Sequence, residues 1–363
     1  MDFLVLLAGC GWTPLPEAET VFLSGDTEYM RLLGIVCSTA ALLAALSSSA
    51  FAMEILPFQT SNQSPLVRIF GLPVIGSATV LPAGRFEGTL SLDASNNFAP
   101  GFATGESVML DGETYRFALA ARYGIAPGFE IGLSIPLLTN SGGFLDGFIE
   151  GFHDFFGFSQ GDRKSYPKDR LLYEYTRSGS DTVLVDDGST GIGDIRLSAA
   201  WKVYDDGREN PCRVALHGSV KFPTGNSHRL FGSGSTDFAL WVVASDDYRL
   251  PLGHLTLYAA GGGLVMTDGD VLRDRQRTLV GFGSLGIGWS PLEWLALKVQ
   301  ADGHTSFYSG SELVQVNGGS VQLTSGGTIG FTKSTFLDIG ISEDVVVDAS
   351  PDVVFHFALR SLF

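Results

Sequence analysis

Cysteine, charge and long apolar runs are all scarce in this chain of 363 residues. Three cysteines occur, and only Cys212 lies beyond the N-terminal region, so we expect no intramolecular disulfide. Charged residues make up 17% of the chain and the net charge is −16, which argues against a nucleic-acid-binding surface. Beyond the N-terminal region, no run reaches the roughly eighteen apolar residues of a membrane-spanning helix. Any membrane crossing by the mature chain would therefore use strands.

An export signal is present near the N-terminus. Residues 30–52 have a short basic start, an apolar core and then Ala50-Phe51-Ala52, the small-x-small pattern at which a signal peptidase cuts. We predict a signal peptide over residues 30–52 and a mature chain that begins at Met53. Residues 1–29 are interpreted as an upstream mis-start. A lipoprotein box at Leu7-Ala8-Gly9-Cys10 is better explained by coincidence, because no basic region precedes it and its apolar run is too short.

The C-terminal stretch alternates with a period of two, which indicates a strand. Val353, Phe355, Phe357, Leu359 and Phe363 share one parity, in which Ser361 is the single polar member. The terminal Phe363 resembles the C-terminal signature by which outer-membrane β-barrels are recognised for assembly. A strand of a soluble sandwich is the alternative for this stretch alone.

Eleven further segments alternate in the same way, which is the weak pattern typical of transmembrane barrels. The twelve segments lie near residues 85–97, 113–124, 129–138, 191–204, 212–222, 236–245, 253–266, 277–290, 294–305, 320–332, 335–343 and 352–363. We predict an all-β fold, an antiparallel transmembrane β-barrel of about twelve strands over residues 85–363.

The connections between the segments alternate in length. Short links at 125–128, 205–211, 246–252, 291–293 and 333–334 alternate with longer ones after Asn97, Thr139, Pro223, Thr267, Ser306 and Glu343. Short periplasmic turns and long outer loops are typical of outer-membrane barrels, whereas soluble sandwiches do not need this asymmetry. The pattern predicts an outer-membrane location.

One parity of each segment is apolar and the other carries the charges, as in 129–138, where Ile131 and Leu133 oppose Glu130. Because a charge facing lipid costs roughly 2 to 4 kcal/mol near the midplane, the charged parity should face the lumen. The predicted lumen-lining residues are Arg85, Glu87, Asp93, Arg116, Arg122, Glu130, Asp194, Arg196, Lys202, Arg213, His217, Lys221, Lys298, Asp302, Asp338 and Arg360. Two interpretations stay open: a structural ion-pair network that fills the barrel, and a pore whose wall favours anions or zwitterions.

Residues 53–84 have no periodicity and almost no charge, and an extended segment there could lie in the lumen or in the periplasm. NQSPL (62–66), FGLP (70–73), LDGET (110–114) and RYG (122–124) resemble motifs of a proteobacterial outer-membrane β-barrel family of unknown function. The resemblance implies a β-barrel in the outer membrane. It brings no established activity and no site residues.

The longest outer loop, residues 139–190, contains apolar residues at helical spacing between Phe144 and Phe156. Asp146, Glu150, His153 and Asp154 occupy the other side, so we predict an amphipathic helix. Such a helix could cap the barrel, rest on the outer leaflet, restrict a pore from inside or form a partner surface.

Three catalytic or binding patterns are weak. His217 and Ser219 resemble the arrangement of an outer-membrane phospholipase, with Asn226 nearby, but their parity places them in the lumen, away from lipid. GFGSLG (281–286) spells a dinucleotide fingerprint without a βαβ unit, and the six histidines lack metal-site spacing.

We therefore expect no cofactor and no enzymatic activity. The sequence favours a channel for small polar solutes or a structural barrel, with outer-membrane lipid and the barrel assembly machinery as partners and no nucleic acid. A barrel enzyme acting on lipid and a soluble secreted β-sandwich are the alternatives.

Overall fold

The computed structural model describes residues 53–156, 163–178, 180–346 and 349–363. The predicted signal peptide and upstream extension lie outside the described residues. Fifteen strands occur within those ranges: β1 Phe86–Ala103, β2 Glu106–Ala126, β3 Phe129–Ser141, β4 Leu172–Arg177, β5 Ser180–Val185, β6 Ser189–Ile192, β7 Arg196–Asp205, β8 Cys212–Lys221, β9 Asp237–Arg249, β10 His254–Met266, β11 Leu279–Leu292, β12 Leu295–His304, β13 Ser320–Gly330, β14 Thr335–Val346 and β15 Val353–Leu362.

Twelve of these strands close into one antiparallel barrel. Each strand pairs with the next in the order β1, β2, β3, β7 and then β8 to β15, and β15 pairs back with β1 from Glu87↔Leu362 to Asn96↔Val353. Closure leaves no free strand edge in the ring, so backbone groups in the membrane are paired within the wall. The predicted twelve-strand barrel is confirmed.

The outward face of the wall is apolar, as the alternation predicted. Leu119 and Leu133 are 61% and 40% exposed, whereas Glu130, on the opposite parity, is 4% exposed. Trp201, Leu240 and Leu285 continue this exposed face around the barrel. An apolar exposed belt is stable in lipid and would be an association hazard in water.

The wall departs from the predicted bounds most clearly in two regions. The expected loop after Asn97 is instead a continuation of β1 and β2, which pair as far as Ala103↔Glu106. The segment predicted at 191–204 is divided into β6 and β7, with residues 193–195 outside both strands although Gly193 N still donates to Pro136 O. Outside the hydrocarbon the outward parity no longer has to be apolar, so alternation does not mark these strand ends.

The outer loop 139–190 contains the predicted helix, α1, at Asp146–Phe156, and the hairpin β4–β5, which extends the sheet from β2. A second, one-turn helix, α2, lies at Val314–Asn317. Leu145 and Ile149 are buried against Val353, which has outward parity on β15. Helix α1 therefore packs against the outside of the barrel rather than inside the lumen. Within the described residues, no helix is long and apolar enough to cross a membrane.

Candidate functional site: the filled lumen

Residues 53–84, which we call the N-terminal segment, run inside the barrel. They contain no strand, and most of their side chains are buried. The first arm begins near the periplasmic turns, where Met53 packs with Ala296 and Phe336. Farther up, Phe58 is 0% exposed and its backbone N donates to Gln300 Oε1 at 2.8 Å.

The segment reverses direction at the outer end of the barrel, at a helical turn built by the NQSPL motif. Asn62 Oδ1 accepts from Ser64 N at 2.8 Å, and Ser64 O accepts from Val67 N and Arg68 N. Asn62 Nδ2 also donates to Ala349 O at 2.7 Å. This short polar side chain therefore holds the turn and ties it to the loop before β15.

The tip of the turn lies in an apolar cluster formed with the outer loops. Phe70 stacks on Phe307 with ring centroids 5.0 Å apart, and Tyr308 Oη donates to Leu66 O at 3.0 Å. Leu230 and Leu272 belong to the same buried cluster. The outer mouth is thus covered by apolar side chains, and the same cluster continues along the second arm of the segment through Ile75 and Trp241.

The second arm returns to the periplasmic end along the opposite wall. Its backbone is held by inward side chains: Gly71 N donates to Asp237 Oδ2 (2.6 Å), Leu72 O accepts from Arg196 Nη2 (2.9 Å), Ile75 O from Trp241 Nε1 (2.7 Å), and Leu81 N donates to Glu130 Oε2 (2.7 Å). Because an irregular backbone cannot leave its polar groups unpaired when buried, these side chains substitute for water along the segment.

Most of the predicted lumen charges form buried ion pairs. Arg122 contacts Glu87 Oε1 at 2.9 Å and Glu130 Oε1 at 2.7 Å, and Arg360 Nη1 contacts Glu87 Oε2 at 3.2 Å. Lys298 Nζ lies 2.8 Å from Asp338 Oδ1. In both clusters the N-terminal segment adds a backbone carbonyl, Thr79 O for Arg122 and Leu56 O for Lys298.

The prediction for Arg85 is wrong, because this residue is exposed just before β1. The remaining predicted lining residues are spread along the lumen. Arg116 pairs with Asp93 at 3.2 Å, Lys221 with Asp194 at 2.6 Å, and Asp302 accepts from Gln300 Nε2 at 2.9 Å. Two lie toward the periplasmic end: Arg213, which is 3.7 Å from Glu54, and Lys202, which is exposed where β7 bulges and pairs with Asp205.

His217 and Ser219 lie on the inward face of β8, where His217 packs against the wall and the N-terminal segment. The His217 ring stacks on Trp241 with centroids 5.2 Å apart, and its Nε2 lies 2.9 Å from Ser77 O. Ser219 is 8% exposed on the same inward parity. Neither side chain reaches the outward face where lipid lies.

The sequence reasoning missed Asp237, Gln300 and Trp241 as anchors of the N-terminal segment. Gln300 shares the parity of Lys298 and Asp302, so its inward position could be predicted. It was missed because it carries no charge. Asp237 is the first residue of β9, where parity is least certain. Trp241 was not predicted, because the alternation places large apolar side chains on the outward face and Trp241 points inward.

Phe363 closes the seam of the barrel at the periplasmic end. Its N donates to Phe86 O at 2.8 Å, its O accepts from Phe86 N at 3.2 Å, and the two rings lie 5.8 Å apart. The Phe363 side chain is 65% exposed on the lipid parity. The C-terminal aromatic is therefore free of the lumen network.

A family model described as "Protein of unknown function (DUF3187)" matches residues 33–363, so the chain belongs to that family. None of the curated protein sequences matches it.

Among solved structures, an outer-membrane channel, COG4313, from Pseudomonas putida F1 is similar with a TM-score of 0.50 and 15% identity, covering 78% of this chain and 96% of that one. The translocator domain of the autotransporter NalP from Neisseria meningitidis has a TM-score of 0.36 at 11% identity, covering 77% and 88%. The toluene transporter TbuX from Ralstonia pickettii has 0.35 at 9%, covering 78% and 90%. The likeness to the Pseudomonas putida protein shows the fold alone, which is that of an outer-membrane β-barrel.

Proposed function

We propose that this barrel is a normally closed outer-membrane channel for small polar solutes, with the N-terminal segment as its gate. One observation carries the proposal: an irregular segment fills the lumen, and no strand pairing within the described residues joins it to the wall. Its hydrogen bonds each contribute only about 0.5–1.5 kcal/mol net and can be exchanged for bonds to water. The similar Pseudomonas putida protein is an outer-membrane channel, which supports this proposal.

The polarity of the lumen supports a polar solute. Asp93, Gln300 and Lys298 are all at most 2% exposed, and each has its polar group directed at the segment or at another lumen side chain. If the segment moved aside, these groups would line an aqueous path.

A disulfide lock tests the gate. A Cβ added at Gly288 would lie 3.5 Å from Ile55 Cβ, which is within the roughly 3.5–4.5 Å that disulfides require. We expect Ile55→Cys with Gly288→Cys, in a Cys212→Ser background, to show opening events in planar bilayers under reductant and none after oxidation. The single variant Ile55→Cys in the same background should not respond to oxidation.

The second candidate is a purely structural barrel, favoured by the packed ion pairs of the lumen. It predicts no current in either redox state of the double-cysteine protein. A steady current that oxidation leaves unchanged would also overturn the gate, since the solute would then pass without moving the segment.

The absence of enzymatic activity is part of the proposal, and its support is the placement of His217 and Ser219 inside the filled lumen. A phospholipase assay of the refolded protein checks it. Activity that disappears in Ser219→Ala would contradict the proposal.

Assembly through the C-terminus is proposed as well, with the barrel assembly machinery as partner and Phe363 as the recognised residue. Phe363→Ser keeps the backbone bonds to Phe86 but removes the aromatic ring, so it should reduce outer-membrane insertion much more than Leu362→Ala. Heat-modifiable mobility of the membrane fraction measures insertion, and equal insertion of both variants would remove this role.

A further inference from the structure

A cavity of about 40 Å³ lies between the turn of the N-terminal segment and the barrel wall. A site for one water needs roughly 10–15 Å³, so the cavity has room for a few waters or a small anion. Its lining is unusually basic: Arg68 comes from the segment, Arg116 from β2, Arg196 from β7 and Lys221 from β8. Three separate wall strands and the segment thus direct cations at one space.

The carboxylates near this cavity are already engaged. Asp194 lines it, but its oxygens accept from Lys221 Nζ at 2.6 Å and Gly225 N at 2.7 Å. Asp93 contacts Arg116 at 3.2 Å and also His356 at 2.7 Å. Over the described part of the chain, no carboxylate pairs with Arg68 or Arg196.

Arg68 has hydrogen-bond donors to spare. Its Nη2 donates to Asn140 Oδ1 at 2.7 Å, whereas its Nε and Nη1 are buried without a partner. Burial, together with the nearby charge of Arg116, lowers the pKa of Arg68 to about 10, so the guanidinium still carries its charge at neutral pH. An unmet buried donor costs on the order of 1–3 kcal/mol, more when charged, so this arrangement is costly unless something accepts.

Arg196 is the matching group on the wall. Its Nη2 donates to Leu72 O at 2.9 Å, which fixes the guanidinium beside the segment. A guanidinium offers five donors in a planar fork that fits the paired oxygens of a carboxylate or phosphate. Two such forks without carboxylate partners, facing a small cavity, form the donor set of an oxyanion site.

We propose that this cavity binds a small oxyanion, a carboxylate or phosphate group, between Arg68 and Arg196. The inference extends the proposed function by assigning small organic or inorganic anions as the solute class. That assignment rests on the proposed channel. Because Arg68 belongs to the segment and Arg196 to the wall, an anion held by both also couples occupancy to the position of the gate.

Equilibrium dialysis of the full mature protein in detergent, with radiolabelled inorganic phosphate or acetate at constant ionic strength, tests the site. We expect saturable binding of about one anion per barrel. Arg196→Gln should weaken binding at least ten-fold, and Arg68→Gln should do the same while keeping a donor for Asn140. Arg85→Gln, at an exposed arginine before β1, is the matched control and should bind like the unchanged protein.

Heat-modifiable mobility first shows whether each variant folds. If one of the two arginine variants does not fold, the variant of the other arginine provides the test. Absence of saturable binding for both probes, or undiminished binding in Arg196→Gln or Arg68→Gln, would overturn the site. Because dialysis does not depend on conductance, its result is independent of the gate. A barrel that binds anions but never conducts would support the anion site and contradict the proposed gate. A barrel that opens in the disulfide experiment but binds neither phosphate nor acetate would support the gate and contradict the anion site.

Discussion

The outward and inward faces of the same strands are satisfied in different ways. On β15 the outward Phe357 and Leu359 are 39% and 43% exposed and need only lipid around them. The inward His356 and Ala358 on the same strand are 0% and 1% exposed, although they face the axis of the barrel. The N-terminal segment accounts for this burial, since the Phe58 ring lies 6.1 Å from the His356 ring, edge to face.

This difference teaches that the two faces tolerate change by different rules. The outer face depends on transfer energy, so any apolar side chain of suitable size is acceptable there. The inner face depends on specific pairs, because a buried charge that loses its partner is penalised far more than a pair is rewarded.

The largest effect is expected inside, at Lys298. Lys298→Met should reduce the free energy of unfolding by roughly 3–5 kcal/mol, because the Asp338 carboxylate then remains buried without its cation. Urea unfolding in lipid vesicles measures it. The double variant Lys298→Met/Asp338→Leu should recover most of the loss. A loss below about 1 kcal/mol in the single variant would mean that the lumen is wetter than its packing indicates.

The next effect probes the outer face. Phe357→Arg should cost roughly 2–4 kcal/mol, since Phe357 has outward parity and lies along the middle of β15. Ser361→Arg is the matched control on the same parity near the periplasmic end, where the expected cost is about 0–1 kcal/mol. Similar unfolding free energies for the two variants would break the assignment of this face to lipid.

A smaller effect tests the contact between the segment and the wall at Gly71. An added Cβ would lie 2.7 Å from Asp237 Cβ and 3.2 Å from Leu264 Cδ1, which is too close for ordinary packing. Gly71→Ala should therefore reduce the free energy of unfolding by about 1–3 kcal/mol. It should also make the segment easier to displace, seen as more frequent openings in planar bilayers. Unchanged stability together with unchanged gating would show that the segment is not seated against β9.

The smallest effect is expected on helix α1, outside the barrel. A Cβ added at Gly147 meets no atom within 4 Å, so Gly147→Ala removes backbone freedom without a clash. It should raise stability by roughly 0.5–1 kcal/mol and leave channel gating unchanged. The same urea unfolding experiment measures it, and altered gating would indicate that α1 is coupled to the lumen.

The strands of the wall were predictable to within a few residues where lipid imposes alternation. The segment predicted at 129–138 is β3, Phe129–Ser141, and that at 212–222 is β8, Cys212–Lys221. Prediction failed above the membrane: Asp111 and Glu113 have outward parity on β2 yet are buried under the outer loop, where Asp111 pairs with Arg170. Polar residues on the outward parity remove the alternation of apolar and polar residues, so the sequence predicted a loop there.

The charges of the lumen were predictable as a set, but their partners were not. Parity alone placed Arg122, Glu130 and Lys298 inward, because a charge in lipid is costly. Parity cannot state that Arg122 joins Glu87 to Glu130, since those residues lie on three strands brought together by register.

The sequence by itself determined the wall of this protein, because alternation is a local property that each strand must satisfy against lipid. Only the tertiary structure decided that residues 53–84 fill the lumen. That segment has no period and almost no charge, and it is held mainly through backbone groups that every residue has in common. Its anchors, such as Asp237 and Trp241, are far away in sequence, so only the closed barrel brings them to it.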